Sequence, residues 1–423
     1  MKIWQILVVC LLIRLVSLNQ SLWLDEAISA NVVKNYSYGE IVSKFSPSDF
    51  HPPLYYLTLK AWTSVFGYSE ISLRLPSVIF SLVTVYIIYL LAGPPAGGGA
   101  ALLAGLNPLL LYYSQEARMY SMVTMLLTLA VYCFVKKKYW WFNLLAFLSF
   151  MTFYGSVFLL MALAFYLLIK KKYKELIISN VGILLAVVIL LPLLREQMQN
   201  SREMLFMVRN WSLVLGKANI KNLLLIPIKF SSGRISFYPK ILYYFIAGGW
   251  TIYVFSKMNK KNFYSYLFWM SLLVGTIFSI FTPMMQYFRF LYLVPIMAII
   301  IKKNKIIAGG FLIFSLFYLF NKNMWREDWK NLSKDLGSNV YMISSFGDPV
   351  KYYNPNIKIS DIRDVKPTLP SLQKGGNKVE ITVIPYGEEI HGVDHNKILN
   401  AAGYQKISET DYREVTMETW SIF

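Results

Sequence analysis

The chain has 423 residues, 56% of them hydrophobic and 16% aromatic, with a formal net charge of +19 and a mean hydropathy of +0.45. Such an apolar chain, with repeated runs of membrane-spanning length, is not an ordinary soluble domain; it reads as a polytopic membrane protein. The positive charge does not point to nucleic acid, because the Lys residues sit in short clusters between apolar runs, the pattern that marks cytoplasmic loops.

In chain order, Lys2 precedes an apolar run from Ile3 to Leu18 that Arg14 interrupts, and no small-x-small cleavage site follows. It therefore reads as an uncleaved first span with a cytoplasmic N-terminus. Cys10 and Cys133 lie inside apolar runs and supply no disulfide framework. Basic clusters at 136–138, 170–174, 257–261 and 302–305 are cytoplasmic by the positive-inside rule, so an even number of spans separates each from the next. The apolar content provides the pairs 139–153 with 155–169, 175–194 with 237–256, and 263–281 with 287–301, and a last span at 306–320.

Working back from Lys136, span 119–135 runs inward and span 100–113 outward, 93–99 is a cytoplasmic turn, and span 75–92 starts outside. Residues 19–74 then form one external loop. Parity requires that the apolar helix over 53–66 does not cross but lies in the interface or dips in and returns, as its Lys60, Tyr55, Tyr56, Trp62 and Phe66 permit. The count is about eleven spans. The stretch 195–236, with Arg195, Arg202, Arg209, Lys221 and Arg234 among apolar residues, is external and expected to be an interfacial helix or a flexible cover.

From residue 321 the composition becomes that of a soluble domain, with 14 acids against 12 Lys and Arg over 326–423. The pattern predicts helices at 327–336 and 395–402, strands at 339–345 and 378–385, and a terminal pair of strands in 404–423. The fold class is an all-α polytopic membrane domain over 1–320 followed by a small α/β domain over 321–423 on the extracytoplasmic side.

Acids are scarce in the membrane part: nine in the first 325 residues, six of them before residue 120. Ionisable groups at a membrane surface are costly, so a cluster of them is a functional candidate. Asp25 and Glu26 follow the first span, and His51 precedes the interfacial helix that carries Tyr55. Arg74 precedes the second span, Glu116 and Arg118 share the next external turn, and Tyr287 and Arg289 sit near the outer end of a late span. A carboxylate can deprotonate an acceptor hydroxyl, and guanidinium groups can hold a phosphate through bidentate bonds. Simpler roles compete: Asp25 as N-cap of a helix beginning at Glu26 or Ala27, Glu26 as a helix-dipole acid, Arg74 as a snorkelling anchor, and Glu116 with Arg118 as a local ion pair.

Leu24-Asp25-Glu26, His51-Pro52-Pro53-Leu54-Tyr55-Tyr56, Arg74-Leu75-Pro76-Ser77 and the turn around Glu116 and Arg118 resemble, in this order, the motif set of the GT-C glycosyltransferases. The likeness is to the protein O-mannosyltransferase and aminoarabinose transferase branch, clear over residues 1–135 and carried further by Gln286-Tyr287-Phe288-Arg289. The resemblance implies an inverting sugar transfer from a polyprenyl-phosphate donor to an acceptor protein, lipid or cell-surface glycan, at the non-cytoplasmic face of the cell membrane. In that reading Asp25 is the general base with Glu26 as helper. Arg289, Arg118 and Tyr287 bind donor phosphate, and His51, Glu116, Arg74 and Tyr55 bind substrate. The cofactor stays open between none and a divalent cation, Mg or Mn, which would have Asp25 and Glu116 as its ligands. The Asp-Glu pair departs from the Asp-x-Asp metal motif of the oligosaccharyltransferase relatives, and the C-terminal domain is shorter than the family's accessory domains. The rival functions are a transporter or flippase of lipid-linked sugars and a non-catalytic assembly protein. A transporter usually shows internal repeats and polar groups at mid-membrane depth, and neither is visible here.

Overall fold

The structure, a computed structural model, describes residues 2–208, 210–259, 261–337, 339–365 and 379–422. Arg209 of the expected external stretch, Lys260 of the third basic cluster and Lys378 at the start of an expected strand lie outside the described residues. The chain forms two compact units: Met1–Leu18 with Tyr36–Ser201 and Leu215–Met324, and Asn19–Asn35 with Arg202–Val214 and Trp325–Phe423. The second unit thus takes two segments from within the stretch that the sequence reading assigns to the membrane domain.

The chain opens with α1 (Ile3–Leu15) and α2 (Leu24–Asn35), followed by a short helix α3 (Tyr38–Glu40). Ser37 starts α3 with a capping box: its hydroxyl accepts from the Glu40 N–H while its own N–H donates to the Glu40 carboxylate. A π turn, Ile41–Phe45, leads into the loop before α4 (Leu54–Phe66), which starts after the Pro52-Pro53 pair and stops at Gly67, φ 76°. Helix α5 (Glu70–Ala92) is capped by the Ser69 hydroxyl.

The expected single span over 100–113 is instead two helices, α6 (Gly97–Leu106) and α7 (Pro108–Ser114). Asn107 makes the break: its carboxamide oxygen accepts from the Leu109 and Leu110 amides at 3.0 and 3.1 Å, and Pro108 at the first helical position has no N–H to lose. The chain continues with α8 (Tyr120–Val135), α9 (Tyr139–Thr152), α10 (Val157–Ile169) and α11 (Tyr173–Met207), then α12 (Trp211–Leu215), α13 (Ile220–Ser232) and α14 (Lys240–Ser256). After α15 (Phe263–Phe281) come a 3-10 turn at Tyr287–Phe290, α16 (Leu293–Ile301) and α17 (Lys305–Phe320). Among the described residues three helices, α5, α11 and α15, are long and apolar enough to cross a membrane by themselves, and several shorter apolar helices accompany them. Helix α11, at 35 residues, is about 50 Å long against a hydrocarbon core of about 30 Å. The first part of the stretch from 195, expected as an interfacial helix or a flexible cover, is the continuation of this helix.

The second unit holds α18 (Trp329–Asp335), β1 (Asn339–Met342), α19 (Asp348–Tyr353), β2 (Lys358–Asp361), β3 (Val379–Ile384), α20 (Glu388–His391), α21 (His395–Ala401), β4 (Gln405–Tyr412) and β5 (Val415–Ile422). The strands form one sheet in the order β2-β1-β3-β5-β4, parallel across β2, β1 and β3 and antiparallel from β3 to β5 and β4. Its core is Trp329, Val340, Met342, Val350, Ile362, Val383, Leu399 and Trp420, joined by Leu24 of α2. The expected helices and strands are present, and β2, α19 and α20 are additions. Lys-Ile-Ser-Asp is too short and polar to announce a strand, and its parallel pairing with β1 supplies what local propensity lacks.

Candidate active site

In the first unit, polar side chains gather where the loop before α4 meets the turn between α7 and α8. His51 Nδ1 lies 3.2 Å from Asp49 Oδ1, the Tyr56 hydroxyl donates to Asp49 Oδ2 at 2.8 Å, and Arg118 Nη1 donates to the Tyr56 oxygen at 3.1 Å. Burial pushes the Asp49 carboxyl up, but His51, Arg118 and the Tyr56 hydroxyl outweigh it, so the group is held below the usual aspartate range. It stays a carboxylate at neutral pH. The His51 ring stacks on Phe153, centroids 6.3 Å apart.

Local sequence explains the placement. Two prolines after His51 forbid helix there and start α4 one residue later, which sets Tyr55 and Tyr56 in its first turn, both fully buried. Glu116 and Arg118 are also buried, and the Ser77 hydroxyl donates to the Glu116 carbonyl at 2.6 Å, tying the turn to α5. Arg74 does not snorkel: it is fully buried and donates to the Leu18 carbonyl at 2.9 Å, where the chain leaves α1.

A second group of cations lies in the same unit. Arg234 donates to the Tyr112 hydroxyl at 2.8 Å with its guanidinium 4.9 Å above that ring. It is within electrostatic range of Tyr113, Tyr287 and Glu116. Lys229 lies near it; burial first, then repulsion from Arg234 and Lys240, brings the Lys229 ammonium down to about 8. Tyr287 and Arg289 are half-buried on the 3-10 turn, where Arg289 donates to the Pro283 carbonyl at 3.2 Å and sits 5.9 Å from the Phe288 ring.

Asp25 and Glu26 belong to the second unit. Helix α2 begins at Leu24, so Asp25 lies inside the first turn and is not the N-cap of a helix starting at Glu26 or Ala27. It is half-buried and acts electrostatically on Tyr386, whose hydroxyl donates to Glu327 at 3.0 Å. Glu26 is fully buried and paired with Arg326 at 3.4 Å, so its carboxylate is engaged within the unit. Removing one partner of such a pair leaves a charge without compensation, at a cost of roughly 3–5 kcal/mol.

Sequence reasoning passed over Asp49, Tyr56, Lys229 and Arg234 as site residues. Asp49 was legible as the one acid two residues before the His-Pro-Pro motif. Arg234 and Lys229 carried no motif; only the tertiary approach of α13 to α7 gives them a role. Among the described residues no three His, Cys, Asp or Glu side chains gather as a metal-binding set.

The architecture is one already seen in a solved membrane-protein structure. The chain matches the crystal structure of ArnT from Cupriavidus metallidurans bound to undecaprenyl phosphate with a TM-score of 0.57, at 10% identity over 98% of this chain and 97% of that one. Against apo ArnT of the same organism the TM-score is 0.55, at 11% identity and the same coverage. By sequence, residues 50–195 match the dolichyl-phosphate-mannose-protein mannosyltransferase family. No curated protein matches the chain by sequence. The chain therefore shares its fold with ArnT and, over residues 50–195, is similar in sequence to the mannosyltransferase family.

Proposed function

We propose that this protein is an inverting glycosyltransferase that moves a sugar from a polyprenyl-phosphate donor to an acceptor hydroxyl or amine at the non-cytoplasmic face of a membrane. The observation that carries the reading is a coincidence of position. The stretch similar to the mannosyltransferase family, 50–195, contains Tyr56, Glu116 and Arg118, which the fold buries, and the half-buried His51. ArnT, the structural neighbour, binds undecaprenyl phosphate, which supports a lipid-phosphate donor.

In the proposed reaction the acceptor atom attacks the anomeric carbon from the side opposite the phosphate. The bond from carbon to acceptor forms, the bond from carbon to phosphate oxygen breaks, and the lipid phosphate leaves with the electron pair. Asp25 takes the acceptor proton, and Glu26, held by Arg326, fixes the helix turn that carries it. The guanidinium groups of Arg118 and Arg289, with the Tyr287 hydroxyl and in addition Arg234, stabilise the charge that grows on the leaving phosphate. His51, Glu116, Tyr55 and Arg74 shape the substrate site, with Asp49 as the carboxylate that orients His51. Eleven spans with the N-terminus in the cytoplasm would place this chemistry outside.

The test is consumption of a lipid-linked sugar by the purified protein, wild type against Asp25→Asn. Loss of the base should lower turnover about 10²- to 10⁴-fold with donor affinity nearly unchanged. Asn is tolerated in a first helical turn, and losing the favourable dipole interaction costs only about 0.3–1 kcal/mol. An Asp25→Asn protein that transfers sugar at the wild-type rate ends this assignment.

A further inference from the structure

Helix α11 does not stop at the end of its apolar stretch but carries Gln197 and Asn200 to the loop that precedes α4. Gln197 is buried, 4% exposed, and its carboxamide is used on both sides. The Nε2 group donates to the Ser46 carbonyl at 2.7 Å and to the His51 carbonyl at 3.1 Å, while Oε1 accepts from the Tyr154 hydroxyl at 2.7 Å. One turn on, Asn200 Nδ2 donates to the Pro47 carbonyl at 2.7 Å. Three carbonyls of the six-residue stretch that carries Asp49 and His51 are thus held from one helix. The two carbonyls fix the amide orientation, because turned over Oε1 would face two groups that only accept. The Tyr154 hydroxyl, which can donate or accept, satisfies Oε1, and its neighbour Phe153 stacks on the His51 ring.

We infer that Gln197 is a positioning residue for the Asp49–His51 pair, with Tyr154 satisfying its carbonyl oxygen and Asn200 as a second clamp. The inference rests on the glycosyltransferase reading above for its effect on turnover, though not for its effect on the loop. Gln197 lies beyond the stretch similar to the mannosyltransferase family and within the segment that sequence alone presents as a cover. A side chain that donates to two carbonyls sets where the loop backbone runs. The pairing distance from His51 to Asp49 follows from that backbone path, because the two residues are separated only by Phe50.

The experiment combines amide hydrogen exchange with steady-state kinetics on the full-length protein in detergent, using Gln197→Leu and the milder Tyr154→Phe. The Ser48 and Asp49 amides donate to the Phe45 carbonyl at 3.0 and 3.1 Å, so they are protected and report directly on the loop. Their exchange should accelerate about tenfold or more in Gln197→Leu and several-fold in Tyr154→Phe, while helices α5 and α8 keep wild-type protection. Turnover should fall roughly 10- to 100-fold in Gln197→Leu with donor affinity within twofold and an unchanged melting temperature. Wild-type exchange at Ser48 and Asp49 in both variants overturns the inference. Faster exchange with full turnover also overturns it, since the loop would then be held for no catalytic purpose. If the wild-type protein consumes no lipid-linked sugar, the glycosyltransferase reading fails, and the exchange measurement alone decides whether Gln197 holds the loop.

Discussion

Two imidazole–carboxylate networks in this molecule have nearly the same ingredients and opposite character. In the first unit His51 meets Asp49 through Nδ1 only, and Nε2 has no hydrogen-bond partner among the described residues. In the second unit His395 is clasped on both sides, Nδ1 at 2.8 Å from Glu388 and Nε2 at 3.0 Å from Glu418. Glu418 is itself saturated, taking the Trp420 indole N–H at 2.7 Å and the Lys406 ammonium at 3.2 Å. A ring that donates from both nitrogens is an imidazolium and cannot pass on a proton without breaking a pairing. A ring with one nitrogen uncommitted can meet a substrate. Residue types do not separate a site from a structural clasp here; the degree of saturation does.

The largest effect that sharpens this contrast is expected at Asp49. Asn at 49 keeps an acceptor for the Tyr56 hydroxyl but removes the charge that faces His51 and Arg118, so turnover should fall roughly 10- to 100-fold. Because the Asp49 carboxyl is held below its ordinary value, the activity it supports is present at and above the usual aspartate range. That activity is lost only as pH falls through the depressed folded value. Rate against pH for wild type and Asp49→Asn checks this. An Asn variant with undiminished turnover would make the first network as structural as the second.

A smaller effect belongs to Lys229. With its ammonium brought down to about 8, the cation cluster it shares with Arg234 loses a positive charge as pH rises through that value. Binding of a polyprenyl phosphate should weaken roughly threefold to tenfold between pH 7 and 9. Lys229→Arg, which does not titrate there, should bind with little change over the same interval. Equal pH dependence in the two proteins would detach Lys229 from the phosphate site.

Particular residues show how much of this could be read in advance. The helical membrane part and the α/β tail follow from hydropathy, charge clusters and turn residues, and the motif residues His51, Glu116 and Arg118 do lie in one unit. What stayed hidden depends on partners distant in sequence. Nothing local announces that Glu26 pairs with Arg326, 300 positions away, or that Arg74 closes on the Leu18 carbonyl. The break at Asn107 was legible in principle from Asn-Pro, yet its apolar flanks read as one continuous span. Residues 195–201 looked like loop because Arg-Glu-Gln-Met-Gln-Asn-Ser is polar, and a polar stretch can equally be the outer end of a long helix.

The smallest effect concerns His395 and tests the structural half of the comparison. Burial disfavours the charged ring, but Glu388 and Glu418 outweigh it and raise its value above 6.5. The Glu418 carboxyl is lowered despite burial, through Trp420, Lys406 and His395. A raised imidazole contributes stability that is complete below its unfolded value and is lost as pH rises through the folded one. A lowered carboxylate contributes stability that is present above its unfolded value and is lost as pH falls through the folded one. The second unit should therefore be most stable in mildly acidic solution between these limits and lose stability on the alkaline side. His395→Gln keeps hydrogen-bonding capacity without the charge, so it should cost on the order of 1–3 kcal/mol near pH 6. That difference should shrink at a more alkaline pH, once pH has risen through the raised value of the wild-type ring. Amide exchange in β4 and β5 of the full chain at the two pH values measures it. Identical pH dependence in variant and wild type would show that the clasp carries no charge, and saturation of the ring would then not distinguish the two networks.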